Sequence, residues 1–261
     1  MISIYFEFLI PFFVSAAVVI AITIVAERYG TIKGGILGTL PSTVVIAFLF
    51  IAYNEGTTQA SHAVAVVAAE MGVNVMFLLL FSLLIHRSLL CALSGAFTTW
   101  TVLSFFLYYF NVDSILLSLS IYVLSFIFSF IVLEKIKKIR SSGMVPIIYT
   151  PLKIGFRGIL AGIVIALAVY LSNFGAVLSG IFSAFPVIFL SAMVISSKEH
   201  GPRFAGAMAK SMVFGSPSVV GYAVAIYFFY RLYGIIAGTT MAFLIASGIT
   251  LLLFVLGKYL R

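Results

Sequence analysis

Charged side chains make up only 8% of these 261 residues, so the few polar groups that interrupt the apolar runs are the ones that could do chemistry. Glu70 stands near the middle of one such run, with Asn74 one helical turn further on. A carboxylate at mid-membrane depth costs about 2.5–3.5 kcal/mol on insertion unless it faces a cavity or a partner. Glu70 is therefore a candidate proton- or cation-coupling group, the plainer alternative being a structural glutamate held by a neighbour. The stretches Gly38-Thr39-Leu40-Pro41-Ser42-Thr43 and Ser183-Ala184-Phe185-Pro186-Val187 each carry a proline inside an apolar run. Proline removes a backbone donor and frees a carbonyl one turn earlier, so each helix can break and present unpaired backbone groups to a ligand. The alternative is a pair of packing kinks satisfied by Ser42, Thr43, Ser183 or a neighbouring helix.

Lys210 lies about two turns inside another apolar run. It reads either as a clamp for an anionic solute, as a counter-ion to Glu70, or as a lysine snorkelling to the headgroups. Ser216-Pro217-Ser218 adds two hydroxyls and a further kink, or packs helices through small polar residues. The candidate solute or ion pathway is thus Pro41, Ser42, Thr43, Glu70, Asn74, Pro186, Lys210, Ser216 and Ser218. His62, near a span end, reads as a solvated histidine, and Trp100 as an interfacial anchor. The sequence holds no Gly-x-x-x-x-Gly-Lys-Ser/Thr loop for nucleotides and no His/Cys/Asp/Glu set at metal-ligand spacing. Its single cysteine, Cys91, excludes an internal disulfide. No catalytic residue, metal or cofactor is expected, and the protein reads as other than an enzyme.

The elements that position these residues follow from composition. Hydrophobic residues are 63% of the chain and the mean hydropathy is +1.26, against roughly 25% charged residues in a soluble domain. An apolar helix needs about 20 residues to cross the hydrocarbon. Apolar runs near 5–26, 34–53, 59–85, 88–110, 114–133, 155–172, 176–197, 204–230 and 232–257 predict an all-α polytopic membrane protein of about nine transmembrane helices. The turn between the fourth and fifth falls at Asn111-Val112-Asp113. Phe8 opens the first run with Glu7 beside it and no basic segment ahead, which argues against a cleaved signal peptide.

Basic loops stay on the cytoplasmic side. With the N-terminus outside, all fifteen Lys and Arg residues except Arg231 fall inside or at an inner span end, which predicts a multi-pass cell-membrane protein with a cytoplasmic C-terminus. The net charge of +8 is then an orientation signal, not a nucleic-acid footprint. The expected partners are the lipid bilayer and a small-molecule or ion substrate, with homo-oligomerisation open.

Sliding the chain on itself by 145 residues, the distance from Pro41 to Pro186, superposes Gly30 on Gly175, Gly35 on Gly180, Ile36 on Ile181, Ala47 on Ala192, Gly56 on Gly201 and Ala60 on Ala205. Glycine and proline carry specific backbone meanings, so their shared register predicts two four-helix repeats, residues 1–110 and 153–261. A connector helix and a cytoplasmic linker, 111–152, join them. Five crossings separate the starts of the two copies, which makes them inverted. Inverted repeats are the usual construction of secondary transporters, with the site at the repeat interface. A transporter of a small solute, proton- or cation-coupled, is the expected function. A channel, a lipid-handling enzyme or an assembly scaffold are the alternatives.

The stretch Glu27-Arg28-Tyr29-Gly30, continuing through Gly34-Gly35-Ile36-Leu37-Gly38-Thr39-Leu40-Pro41-Ser42-Thr43, resembles the small membrane proteins grouped as DUF3147, which include the GlpM-like proteins. Leu178-Ser179-Gly180-Ile181 through Phe185-Pro186 looks similar. Those relatives are about half this length, so the resemblance implies a fusion of two such units. It implies architecture and no substrate.

Overall fold

A computed structural model describes residues 8–27, 30–136 and 150–257. The basic residues Arg28, Lys137, Lys138, Arg140, Lys258 and Arg261, and the Ser141-Ser142-Gly143 linker with Pro146, lie outside the described residues. Every regular element among the described residues is helical, as the apolar composition requires, because a helix alone satisfies its backbone groups within one segment.

Ten α-helices follow one another: α1 (Ile10–Glu27), α2 (Gly30–Leu37), α3 (Ser42–Ala65), α4 (Val67–Leu84), α5 (Leu89–Tyr109), α6 (Ile115–Ile131), α7 (Pro151–Leu171), α8 (Ala176–Ser183), α9 (Val187–Gly215) and α10 (Pro217–Leu256). A π-helical turn, Val132–Ile136, extends α6, and a 3₁₀ turn, Ser172–Phe174, follows α7. Three glycines in left-handed or extended positive-φ backbone divide the longer helices. They are Gly56 (φ 85°, ψ 164°) in α3, Gly201 (φ 83°, ψ 176°) in α9 and Gly234 (φ 73°, ψ −172°) in α10. Only glycine adopts such angles without strain. An added Cβ at Gly56 or Gly201 would meet nothing within 4 Å, so these two are glycine for backbone reasons alone.

The local signals at helix ends are legible. Ser88, Ser114 and Thr150 accept backbone N–H bonds as N-caps of α5, α6 and α7, and Pro151 occupies the first turn of α7. α7 therefore begins at Pro151, ahead of the apolar run predicted near 155–172, and takes in Lys153. The turn at Phe110 and Asn111 separates α5 from α6, with Asn111 at φ 46°, as its residue types predict.

Six helical stretches among the described residues are long and apolar enough to cross a membrane, and Ile10–Ala21 adds a shorter apolar one. The last of the six, Ala176–Leu256, runs 81 residues and is broken at Ala184–Pro186, Gly201, Ser216 and Gly234. Helices α3, α4, α9 and the first part of α10 form the packed centre. Peripheral helices carry large apolar side chains outward, such as Phe105 on α5 (58% exposed), Leu124 on α6 (70%) and Ile236 on α10 (81%). That pattern suits a lipid surround, where outward apolar surface costs nothing.

Packing crosses between the two parts of the chain. α1 packs on α7. The short α2 lies against α9 and the short α8 against α3, while α3 packs on α10 and α9 on α4. The close approaches need glycine. A Cβ at Gly35 would fall 2.6 Å from Ser211 Cβ and 3.1 Å from the Met208 carbonyl, and a Cβ at Gly180 would overlap the Ala63 carbonyl and Val66 Cγ1.

Candidate functional site

Pro41 and Pro186 stand between helices, not within them: α2 stops at Leu37 and α3 starts at Ser42, and α8 stops at Ser183 and α9 starts at Val187. The two breaks have the same geometry. Pro41 sits at φ −75°, ψ 39° and Pro186 at φ −76°, ψ 48°. Ser42 N–H donates to the Leu40 carbonyl at 2.7 Å and Val187 N–H to the Phe185 carbonyl at 2.7 Å, each closing a three-residue γ-type turn over the proline. Proline cannot donate to the carbonyl four residues back, so Leu40 N–H caps Leu37 and Phe185 N–H caps Phe182, both at 3.1 Å.

One carbonyl per break is then held from another helix. Asn74 Nδ2, on α4, donates to the Ala184 carbonyl at 2.6 Å, and Ser218 Oγ, on α10, donates to the Thr39 carbonyl at 2.9 Å. Thr39 and Ala184 are equivalent in the 145-residue register, and each donor comes from the other part of the chain. Both side chains are buried, where an unpaired carbonyl would cost about 1–3 kcal/mol.

The two breaks face one cavity of about 30 Å³, lined by Gly38 to Pro41, Thr43, Val44 and Met71 on one side and by Ala184 to Phe189 and Val219 on the other. At roughly 10–15 Å³ per water, it takes two or three water-sized groups. Two larger hollows, of about 400 and 460 Å³ along α7 and between α2 and the end of α10, are apolar grooves on outer faces. Trp100 of α5 closes the second break: its ring meets Phe185 edge-on at 4.8 Å and Phe182 at 6.1 Å. It is 9% exposed, a packed wedge, not an interfacial anchor.

Of the residues singled out in the sequence, Pro41, Thr43 and Pro186 line this cavity, and Asn74 and Ser218 hold its backbone. Ser42 is buried beside it with a hydroxyl that has no partner. The other three lead elsewhere. Glu70 is fully buried between α4 and α5, where Ser104 Oγ lies 3.0 Å from both carboxylate oxygens. Its neighbour Met71, about 100° around the helix, faces the cavity instead. Lys210 is 3% exposed and pairs with Glu134, in the middle of the π-helical turn after α6, so the carboxylate it meets is Glu134 and not Glu70. Ser216 meets Tyr122 of α6, hydroxyl to hydroxyl at 2.8 Å.

Met71, Val44, Ile188, Phe189 and Val219 complete the cavity wall and escape a search for polar residues. The repeat register does find Ile188, as the counterpart of Thr43. Thr39, Ser42 and Thr43 correspond to Ala184, Val187 and Ile188 in that register, so the first break carries hydroxyls at three positions where the second carries hydrocarbon.

Two further sets of polar contacts involve none of the cavity-lining residues. Lys153 pairs with Glu199 at the start of α7, near the Lys210 to Glu134 pair in chain terms. Beyond the other end of α7, Ser172 donates to Glu55 at 3.4 Å, and Arg231 meets His62 at 3.5 Å. Compared with known proteins, the chain matches no family model, no curated protein and no solved structure, so its site is read from its own geometry.

Proposed function

We propose that this protein is a secondary transporter of a small solute, built from two inverted repeats with the solute site where the two proline breaks meet. The observation that carries the reading is the pair of breaks, closely alike in backbone geometry and 145 residues apart, facing one cavity. Discontinuous helices paired in this way mark the binding sites of repeat-built transporters.

Three further features support it. The helix contacts exchange between the parts, α2 on α9 matching α8 on α3 and α3 on α10 matching α9 on α4. Gly35 packs on Met208 and Ser211, and Gly180 on Ala63 and Val66, which are the same positions 145 residues earlier. Divided at Gly56, Gly201 and Gly234, with α2 joined to the first part of α3, the second part of α3 to α4, α8 to the first part of α9 and the second part of α9 to the first part of α10, the described helices make nine segments near the nine predicted spans. On this reading residues 1–110 and 153–261 are the repeats, α6 is the connector, and the N-terminus is outside in a cell membrane. The resemblance to two fused DUF3147 units agrees with it.

The test is solute uptake by the purified chain in proteoliposomes, with and without imposed proton and sodium gradients. Gradient-driven uptake is expected, and Glu70→Gln is expected to abolish the dependence on the gradient if the buried carboxylate carries the coupling ion. Uptake that is indifferent to every ion gradient, or unitary currents in a planar bilayer, would refute the transporter and favour a channel.

A further inference from the structure

The hydrogen-bond inventory of the two breaks decides what class of solute the cavity can hold. Nearly all of its backbone acceptors are taken within the chain. The carbonyls of Leu37, Leu40 and Pro41 accept from Leu40, Ser42 and Val45, and those of Phe182, Phe185 and Pro186 from Phe185, Val187 and Leu190. Thr39 and Ala184 are held by Ser218 and Asn74. Of the break carbonyls, Gly38 and Ser183 remain, and only Gly38 lines the cavity.

The donors are in the opposite state. The backbone N–H groups of Thr43 and Val44, at the start of α3, and of Ile188 and Phe189, at the start of α9, make no hydrogen bond among the described residues, and all four residues line the cavity. The first N–H groups of a helix have no intrahelical partner and carry the positive end of its dipole. Here two such ends share one small space. A second, independent feature points the same way: Thr43 is 8% exposed, lines the cavity and makes no side-chain hydrogen bond among the described residues, and the hydroxyl of Ser42 beside it is buried without a partner. No Asp or Glu is among the lining residues, so nothing there repels negative charge.

We infer that the cavity is an anion site, in which the N-termini of α3 and α9 and the Thr43 hydroxyl bind a monovalent anion no larger than a halide or a formate-sized carboxylate. The size follows from the 30 Å³ of the cavity and the sign from four free N–H donors against one free carbonyl. This names the substrate class of the transport site proposed above and rests on that reading for what crosses the membrane; the site itself stands on the donor inventory.

The experiment has two readouts on the full chain. In detergent, with gluconate as the bulky background anion at constant ionic strength, chloride, bromide and formate are titrated while the thermal unfolding midpoint is followed. In proteoliposomes, flux of the same anions is measured. A saturable rise of the midpoint is expected for the small anions, and Thr43→Val, which keeps the side-chain shape, is expected to move the titration to about tenfold higher concentration. No saturable response of the wild-type chain to any of the three anions would overturn the anion site, whatever the variant does. An unchanged titration in a folded Thr43→Val would remove the hydroxyl from it. Saturable binding without flux would overturn the transport reading and leave the site standing, whereas flux of a cation or neutral solute without an anion response would do the reverse.

Discussion

Replacing Asn74 by leucine keeps the side-chain volume and deletes the donor that holds the Ala184 carbonyl at the second break. The 2.6 Å bond is buried and joins residues 110 apart in sequence, so its loss leaves an unpaired carbonyl in an apolar surround, worth about 1–3 kcal/mol. Two effects reduce that figure. The Asn74 Oδ1 atom has no partner of its own, and leucine removes that stranded acceptor too. Interhelical hydrogen bonds in membrane proteins also average only about 0.6 kcal/mol, with a maximum near 1.7. A net loss of about 1 kcal/mol is expected, or a fall of roughly 2–4 °C in the unfolding midpoint for a chain of this size. Ser218→Ala at the equivalent bond should cost a similar amount, because it frees the Thr39 carbonyl and strands nothing. The assay is thermal unfolding in detergent, paired with hydrogen exchange at the hydrogen-bonded amides of the two breaks, Ser42 and Val45 within 41–45 and Val187 and Leu190 within 186–190. Asn74→Leu should speed exchange at the second break and leave the first alone, and Ser218→Ala the reverse. If Asn74→Leu is as stable as the parent and exchange at 186–190 is unchanged, the carbonyl is not held by Asn74 and the reciprocal arrangement is refuted.

Other expected outcomes follow from the same packing. Gly180→Ala drives a Cβ into the Ala63 carbonyl, a backbone atom that cannot swing aside, and should destabilise by about 1–3 kcal/mol, measured as the unfolding midpoint; Gly56→Ala, in open space but at φ 85°, should cost about 1–2 kcal/mol by backbone strain alone. Lys210→Met leaves Glu134 without its ion-pair partner beside a 3%-exposed position and should cost about 3 kcal/mol, while Lys210→Met with Glu134→Leu should recover most of it. A double variant no better than the single would show that the pair does not act as a unit.

The parts of this structure that were legible in the sequence are those dictated by local chemistry. Pro41 and Pro186 had to interrupt a helix, Gly56 and Gly201 mark turns that only glycine takes, and Asn111 turns the chain between α5 and α6. The residues that stayed illegible depend on contacts far along the chain. The break between α3 and α4 falls at Val66, whose backbone is close to helical at φ −76°, ψ −18°, and no glycine or proline announces it. Glu70 and Lys210 invite pairing because they are rare opposite charges in apolar runs, yet Ser104 and Glu134 lie closer in space. The cavity itself is bounded largely by backbone and by side chains such as Met71 and Ile188, which carry no polar signal, so a search for chemistry by residue type passes over half its wall.

The exchanged packing of the two short helices bears on how such a chain could have arisen. Gly35 on α2 is covered by α9, and Gly180 on α8 by α3, so each half hides its close-packing glycine face under the other. A half-length unit of this design could not bury that face by itself. On the inverted topology proposed above, the covering copy would lie the opposite way up in the bilayer, and joining the two into one chain would demand an odd number of crossings in the first copy and its connector together. α6, which contributes nothing to the cavity wall, would supply that odd crossing and let one polypeptide do the work of an antiparallel pair.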